Sequence, residues 1–495
     1  MNKPIRTVSI FCMLLFLALM VNVTYLQFWK ADSLNDDPRN RRVIEEAYSR
    51  DRGDILVGRE PIAQSEPVDD KYEYQREYTR PLRYAHVTGY FSFYSQTGLE
   101  QTQNQVLAGD DPRLFVTKLV DLVSNKSAKG GSVELTIDPD AQDAAYDALK
   151  SRLPGNVEAS VVAIEPSSGK ILAMVSLPTY DPNKLASHDL AASRDTYDRL
   201  NKDKSEPLLN RAIQKTLPPG STFKLVTAAA ALENLDLDAD SEVPGGAAYT
   251  PPQTTNVIDN EGRDCGAGKI PFKQALGNSC NTTFAQLAVE LGEDKMLEQA
   301  EKFGFNQHYL DDLRPQAQSV FPEEVRTDDG TREVSPAEVA QTGIGQFEVR
   351  ATPLQMAMVA AGIANDGKVM KPYLVDEVQS AEFDTLEKTE DEEFSQAMSS
   401  SNARELTELM VYTVEHGTAS PAAMTGIEVA GKTGTAQSGI DNVPPYAWFV
   451  SFAPVENPEV AVAVMIEKAD IPRGEIAGGQ LGGPIAKAVM EAVIR

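Results

Sequence analysis

Pro218-Pro219-Gly220-Ser221-Thr222-Phe223-Lys224 is the segment on which the reading of this chain turns. Two prolines and a glycine stop whatever precedes them. Phe223, Leu225, Val226 and the run Ala228 to Leu232 then predict a strongly apolar helix. Ser221 is expected in its first turn, with Lys224 three positions on and sharing its face. A serine is a poor nucleophile until a base takes its proton. A lysine can be that base where burial and neighbouring positive charge lower its pKa. Free backbone N–H groups at the helix start can hold an oxyanion. The same residues also read as a serine helix cap followed by a surface lysine, and Ser-x-x-Lys alone does not separate the two.

Two further motifs do. Ser279-Cys280-Asn281 opens a helical run from Thr282 to Leu291. Lys432-Thr433-Gly434-Thr435 follows Val429-Ala430-Gly431, just ahead of an antiparallel pair. Each is weak by itself. In this order and in these contexts, S-x-x-K, S-x-N and K-T-G make up the signature of penicilloyl serine transferases.

Working outward, Val133 to Ile137 reads as a strand. Asp140 to Leu149 reads as a helix, with Ala141, Ala144, Ala145, Ala148 and Leu149 on one side. Ser160 to Ile164 and Ile171 to Val175 are apolar and β-rich, and Glu165-Pro166-Ser167-Ser168-Gly169 between them is turn chemistry, so they predict a hairpin. Ala447 to Ala453 and Val460 to Ile466 repeat that pattern, with Pro454 and Pro458 bracketing the turn. Pro484 to Ile494 reads as a C-terminal helix with proline in its first turn. Strands at both ends of a mostly helical region predict an α+β domain with one sheet built from both chain ends. Gly130 and Gly131 mark its start. Before them lie short strand-like runs from Arg52-Gly53-Asp54-Ile55-Leu56 to about residue 105, rich in Tyr and Gln, and a polar stalk over residues 31–50.

The N-terminus is different in kind. After Lys3 and Arg6, Val8 to Leu26 is almost uninterruptedly apolar, enough for the about 20 residues that cross a bilayer core. Tyr25, Phe28 and Trp29 suit an interfacial belt. No A-x-A cleavage pattern follows, so an uncleaved signal anchor is expected rather than a removed signal peptide. Basic residues at Lys30, Arg39, Arg41 and Arg42 blur the orientation; the expectation is a tail at 1–7 inside, a span at 8–29, and the rest outside. The chain of 495 residues has 46 Lys plus Arg against 73 Asp plus Glu, a net charge of −27, which disfavours nucleic acid as a partner. Three cysteines and four scattered histidines are too few for a Cys/His metal cluster. With Cys12 in the span, Cys265 and Cys280 remain as a disulfide candidate or as two buried thiols.

The three motifs together resemble class B penicillin-binding proteins, which are monofunctional peptidoglycan D,D-transpeptidases. Supporting segments are Leu209-Asn210-Arg211-Ala212, Gly343-Ile344-Gly345-Gln346, Thr352 to Ala357, Ala447-Trp448-Phe449, Arg52 to Leu56 and Gly98-Leu99-Glu100. The short N-terminal module looks most like the actinobacterial type called penicillin-binding protein A. Cys280 departs from the family's usual S-S-N or S-D-N. The resemblance implies an antiparallel five-stranded sheet flanked by helices, with an all-helical subdomain, over 131–495. A mostly β pedestal, dimerisation-like module is implied over 30–130. It implies Ser221 as acylated nucleophile and Lys224 as its base. Ser279 would relay a proton to the leaving amine, Asn281 would hold Lys224 and bind the acyl-side amide, and Lys432 would supply positive field. Thr433, Gly434 and Thr435 would form the substrate strand, with both threonine hydroxyls on the donor carboxylate and the backbone N–H groups of Ser221 and Thr435 as oxyanion hole. Implied partners are stem peptides, β-lactams, the membrane and a glycan-polymerising protein, in wall synthesis during division or shape maintenance. No metal or organic cofactor is implied, because a Ser/Lys mechanism needs neither.

Three other readings share these motifs. A serine β-lactamase needs a deacylating Glu on an E-x-x-L-N loop, and Arg314 to Asp328 offers Glu323 and Glu324 without that pattern. A D,D-carboxypeptidase would use water in place of the acceptor amine. A non-catalytic wall-synthesis scaffold or β-lactam sensor would tolerate loss of Ser221.

Overall fold

Ala430–Ala436, Tyr446–Ala453, Val460–Lys468, Glu158–Ile164 and Ile171–Leu177 form, in that spatial order, an antiparallel sheet of five strands. The computed structural model describes residues 2–30, 34, 45, 48–114, 129–327, 330–437 and 443–494. The polar stalk expected over 31–50 lies mostly outside the described residues. Both expected hairpins are present and meet through Val460–Lys468 beside Glu158–Ile164, so one sheet unites the two chain ends. Apart from Ala430–Ala436, which carries Lys432, Thr433 and Thr435, its strands are nearly continuous in apolar residues because both faces are covered. Val162, Ile164 and Met174 point to one core, while Val161, Ala163 and Val175 point to the other, as period-two alternation requires.

The second face carries the helix Pro139–Arg152 and the C-terminal helix Gly478–Val493. Asp138 caps the first, accepting from the N–H groups of Asp140 and Ala141 at 2.8 and 2.9 Å. The C-terminal helix corrects the sequence reading. It starts at Gly478 instead of Pro484, which lies inside it. Gly478, Gly479, Gly482 and Gly483 are poor helix formers and conceal the first two turns. A Cβ at Gly478 would fall 2.1 Å from the Trp448 carbonyl oxygen and 2.4 Å from that of Gly434, so only glycine lets the helix press on the strands.

The helical middle, Lys224–Asn234 through Ser400–Glu415, covers the first face. The N-terminal module contributes Ile55–Val57, Glu60–Pro67 and Tyr74–Tyr78 to a six-stranded mixed sheet. Its other strands are Ser132–Leu135, Val375–Gln379 and Thr385–Lys388. Ile55–Val57 and Ser132–Leu135 run parallel. Short helices at Pro81–Thr88, Gly98–Thr102 and Asn104–Leu107 join them. Glu100 is fully buried, takes Arg52 at 2.7 Å and Arg76 at 2.6 Å, and accepts from the Tyr78 hydroxyl at 3.1 Å. That cluster fastens the Arg52-Gly53-Asp54 and Gly98-Leu99-Glu100 segments to each other. Among the described residues one helix, Asn2–Phe28, is long and apolar enough to cross a membrane, and it is exposed from Lys3 onward. It also takes in most of the tail expected at 1–7.

Candidate active site

Ser221 sits in a single 3₁₀ turn, Gly220–Thr222, that runs through Phe223 into the helix Lys224–Asn234. Gly220 has φ +53°, and its N–H donates to the Gly345 carbonyl at 3.0 Å. The Thr222 hydroxyl donates to the Pro219 carbonyl at 2.8 Å, so the turn is held from both sides. Gly434 lets the strand Ala430–Ala436 lie against it. A Cβ there would be 3.0 Å from the Pro219 oxygen, from Thr222 Cγ2 and from Trp448 Cβ.

Lys224 is completely buried, not the surface residue that a helix-cap reading requires. Its Nζ donates to Asn281 Oδ1 at 2.7 Å, to the Ser279 carbonyl at 2.8 Å and to Ser279 Oγ at 3.2 Å. Lys432, also completely buried, donates to the same Ser279 Oγ at 2.9 Å and to the Thr433 carbonyl at 2.9 Å. One hydroxyl therefore bridges two lysines from distant parts of the chain. Ser279 reaches this position with φ +58°, a conformation that costs a non-glycine residue on the order of 1–3 kcal/mol and is held by its surroundings. Neither lysine has an ion-pair partner among the described residues. Burial first, then the charges of Lys432 and Arg263, hold the Lys224 ammonium well below the usual lysine range. Burial and Arg263 do the same to Lys432. The two ammonium groups repel each other, so a charge on Lys432 disfavours a second charge on Lys224.

A loop tied by the disulfide Cys265–Cys280 supports the S-x-N segment, its Cα atoms 5.8 Å apart. Asn281 Nδ2 donates to the Asp259 carbonyl at 2.9 Å, Thr282 N–H to Asn260 Oδ1 at 3.0 Å, and Asn278 Nδ2 to the Asp264 carbonyl at 2.8 Å. Arg263 pairs with Glu261 on this loop. Ser221, Asn281 and Thr435 line a cavity of about 240 Å³ together with Asp259, Glu261, Gln341, Ile344, Gln346 and Gln437. The loop residues Asp259, Glu261 and Arg263 carry no signal in the sequence. Gln346 belongs to a segment that the resemblance singled out without a role. Thr433 faces Thr418, their hydroxyl oxygens 2.7 Å apart, and nothing in the sequence points to Thr418. The arrangement combines a serine on a helix start with a buried amine whose charged form is disfavoured and a hydroxyl that contacts two amines. That is the equipment for acyl transfer.

Residues 159–491 match the penicillin binding protein transpeptidase domain, and residues 52–133 match the penicillin binding protein A dimerisation domain. The chain is 42% identical over 500 residues to the peptidoglycan D,D-transpeptidase PbpA of Mycolicibacterium smegmatis, covering 100% of this chain and 99% of the relative. It is 39% identical over 502 residues to PbpA of Mycobacterium tuberculosis, with the same coverage, 100% and 99%. The penicillin G acyl-enzyme complex of penicillin-binding protein A from M. tuberculosis has a TM-score of 0.82 to it at 38% identity, covering 90% of this chain and 100% of that one.

Proposed function

The chain belongs to the penicillin-binding protein transpeptidase family, and from that premise we propose a two-step acyl transfer for this serine peptidoglycan D,D-transpeptidase. Ser221 Oγ attacks the carbonyl of the D-Ala-D-Ala bond of one stem peptide while neutral Lys224 takes the hydroxyl proton. The backbone N–H groups of Ser221 and Thr435 hold the oxyanion. The amide C–N bond breaks as Ser279 Oγ gives its proton to the departing D-alanine amine and takes in its place the proton that Lys224 received from Ser221, while Lys432 supplies positive field. An amine of a second stem then attacks the ester carbonyl, the C–O bond to Ser221 breaks, and the proton that the amine loses restores Ser221 Oγ–H as the crosslink forms. Asn281 holds Lys224 and the acyl-side amide, and Thr433 and Thr435 hold the donor carboxylate beside Gly434. A β-lactam opens on the same serine and stays there.

The observation that carries this reading is the shared hydrogen bond of Lys224 and Lys432 to Ser279 Oγ, which supplies a proton path at a depth where a charged amine is disfavoured. Intact-protein mass spectrometry of the full chain in detergent with benzylpenicillin tests it. A stable adduct is expected on the wild type and none on Ser221→Ala with unchanged thermal unfolding. An adduct on the variant would overturn the assignment.

The layout proposed around this site is a tail at 1–7 inside, an anchor over 8–29, a pedestal over 30–130 and the transpeptidase domain over 131–495 outside the membrane. The apolar N-terminal helix supports the anchor, and a substrate assembled in the wall supports the orientation. A glycan-polymerising partner is proposed to supply the strands, since the two matched domains are described as transpeptidase and dimerisation domains.

A further inference from the structure

Thr418 lies outside all three motifs. It follows the helix Ser400–Glu415, at whose end the N–H groups of Gly417 and Ala419 both donate to the Thr413 carbonyl at 3.1 Å. Its own N–H donates to the Gly277 carbonyl at 3.2 Å, two residues before Ser279. A Cβ at Gly417 would fall 2.4 Å from that same oxygen, so the approach to the S-x-N segment needs glycine. On the other side the Thr418 carbonyl lies over the start of the C-terminal helix, where a Cβ at Gly479 would be 2.3 Å from it and 3.0 Å from Thr433 Cγ2. Thr418 is thus clamped between the S-x-N segment, the K-T-G strand and that helix. Its Oγ1 lies 2.7 Å from Thr433 Oγ1, and among the described residues the Thr433 hydroxyl has no other partner.

A hydroxyl has one proton to give and two lone pairs to receive with. When the Thr433 proton goes to the donor carboxylate, the contact between the two threonines must be filled by the proton of Thr418. The Thr418 O–H then donates to Thr433 Oγ1 and the Thr433 O–H donates to the carboxylate. Each bond polarises the next, and the Thr433 rotor is aimed before substrate arrives.

We propose that Thr418 is a positioning residue for the donor's terminal carboxylate, acting through the hydroxyl of Thr433. It does not itself touch the substrate. The proposal rests on the assignment of Thr433 to that carboxylate.

The test compares second-order acylation rates of the full chain with benzylpenicillin and with its methyl ester, which lacks the anionic acceptor. Wild type, Thr418→Val, Thr418→Ser and Thr433→Val are measured. Thr418→Val keeps the branched shape and removes the hydroxyl, so acylation by the acid is expected to slow about fivefold, the worth of one neutral hydrogen bond, while the ester rate holds. Thr418→Ser is expected to stay within about twofold of wild type, since it keeps the same donor. Equal slowing of acid and ester by Thr418→Val, or no slowing of either, makes Thr418 a packing residue and overturns the proposal alone. If Thr433→Val keeps the wild-type ratio of acid to ester, the carboxylate is held elsewhere, and the underlying assignment falls along with the proposal.

Discussion

Replacing Lys432 with glutamine should move the pH at which Ser221 becomes reactive. Lys224 and Lys432 donate to one oxygen at 3.2 and 2.9 Å. Their nitrogens are therefore no more than about 6 Å apart, and two unit charges at that distance repel by roughly 3 kcal/mol at an effective dielectric of about 20. That is worth about two pH units on the protonation of Lys224. The sign follows from the charge removed. Lys432 disfavours the charged form of Lys224, so its loss lets Lys224 keep a proton to higher pH. Acylation needs the neutral amine, and the limb on which the rate rises with pH should shift alkaline by about one to two units in Lys432→Gln. Burial and Arg263 remain and keep the limb below that of a free lysine. Lys432→Arg retains the charge and should leave the limb in place even if the rate falls. Stopped-flow acylation by a fluorescent penicillin from pH 5 to 10 gives the limb independently of its height. Coincident limbs for Lys432→Gln and wild type would refute the assignment of Lys224 as the base.

Three further outcomes are expected. Glu100→Gln leaves Arg52 and Arg76 buried without their counter-charge and should cost about 3–5 kcal/mol, read as a lower denaturant midpoint. Gly345 has φ +69°, and a Cβ there would fall 2.1 Å from the Gly220 carbonyl oxygen, so Gly345→Ala must displace the turn that holds Ser221. Its acylation rate should drop on the order of a hundredfold, while Gly268→Ala, with open space around it, should not change it. Replacing both Cys265 and Cys280 with serine frees a closure of 15 residues and should destabilise the protein by about 3 kcal/mol in urea, the same loss that a reductant produces in the wild type.

Much of the architecture is legible in short segments. Ser160 to Ile164 and Ile171 to Val175 announce a hairpin because their turn chemistry and their apolar runs are adjacent. Phe223 to Leu232 announces a buried helix because all its residues but Lys224 and Thr227 are apolar. The start of the C-terminal helix is not legible, since the glycines at 478, 479, 482 and 483 argue locally against a helix. Their reason lies across space, in the Trp448 and Gly434 carbonyls. The six-stranded sheet is equally opaque, because Ile55–Val57 pairs with Ser132–Leu135, which in turn pairs with Val375–Gln379.

The sequence by itself singled out the residues proposed to carry the chemistry. Ser221 with Lys224, Ser279 with Asn281, and Lys432 with Thr433 and Thr435 are each local patterns of side-chain type, and type and spacing survive in one dimension. Tertiary structure alone decided their relation. It brought Ser279 Oγ to both lysines through a left-handed backbone at Ser279. It set Thr418 against Thr433 and laid the Asp259–Arg263 loop along the cavity. Those contacts join elements far apart in the chain, and their distances and their burial, which disfavours charge on both lysines, come from the packing of one element on another. No local preference of the chain encodes them.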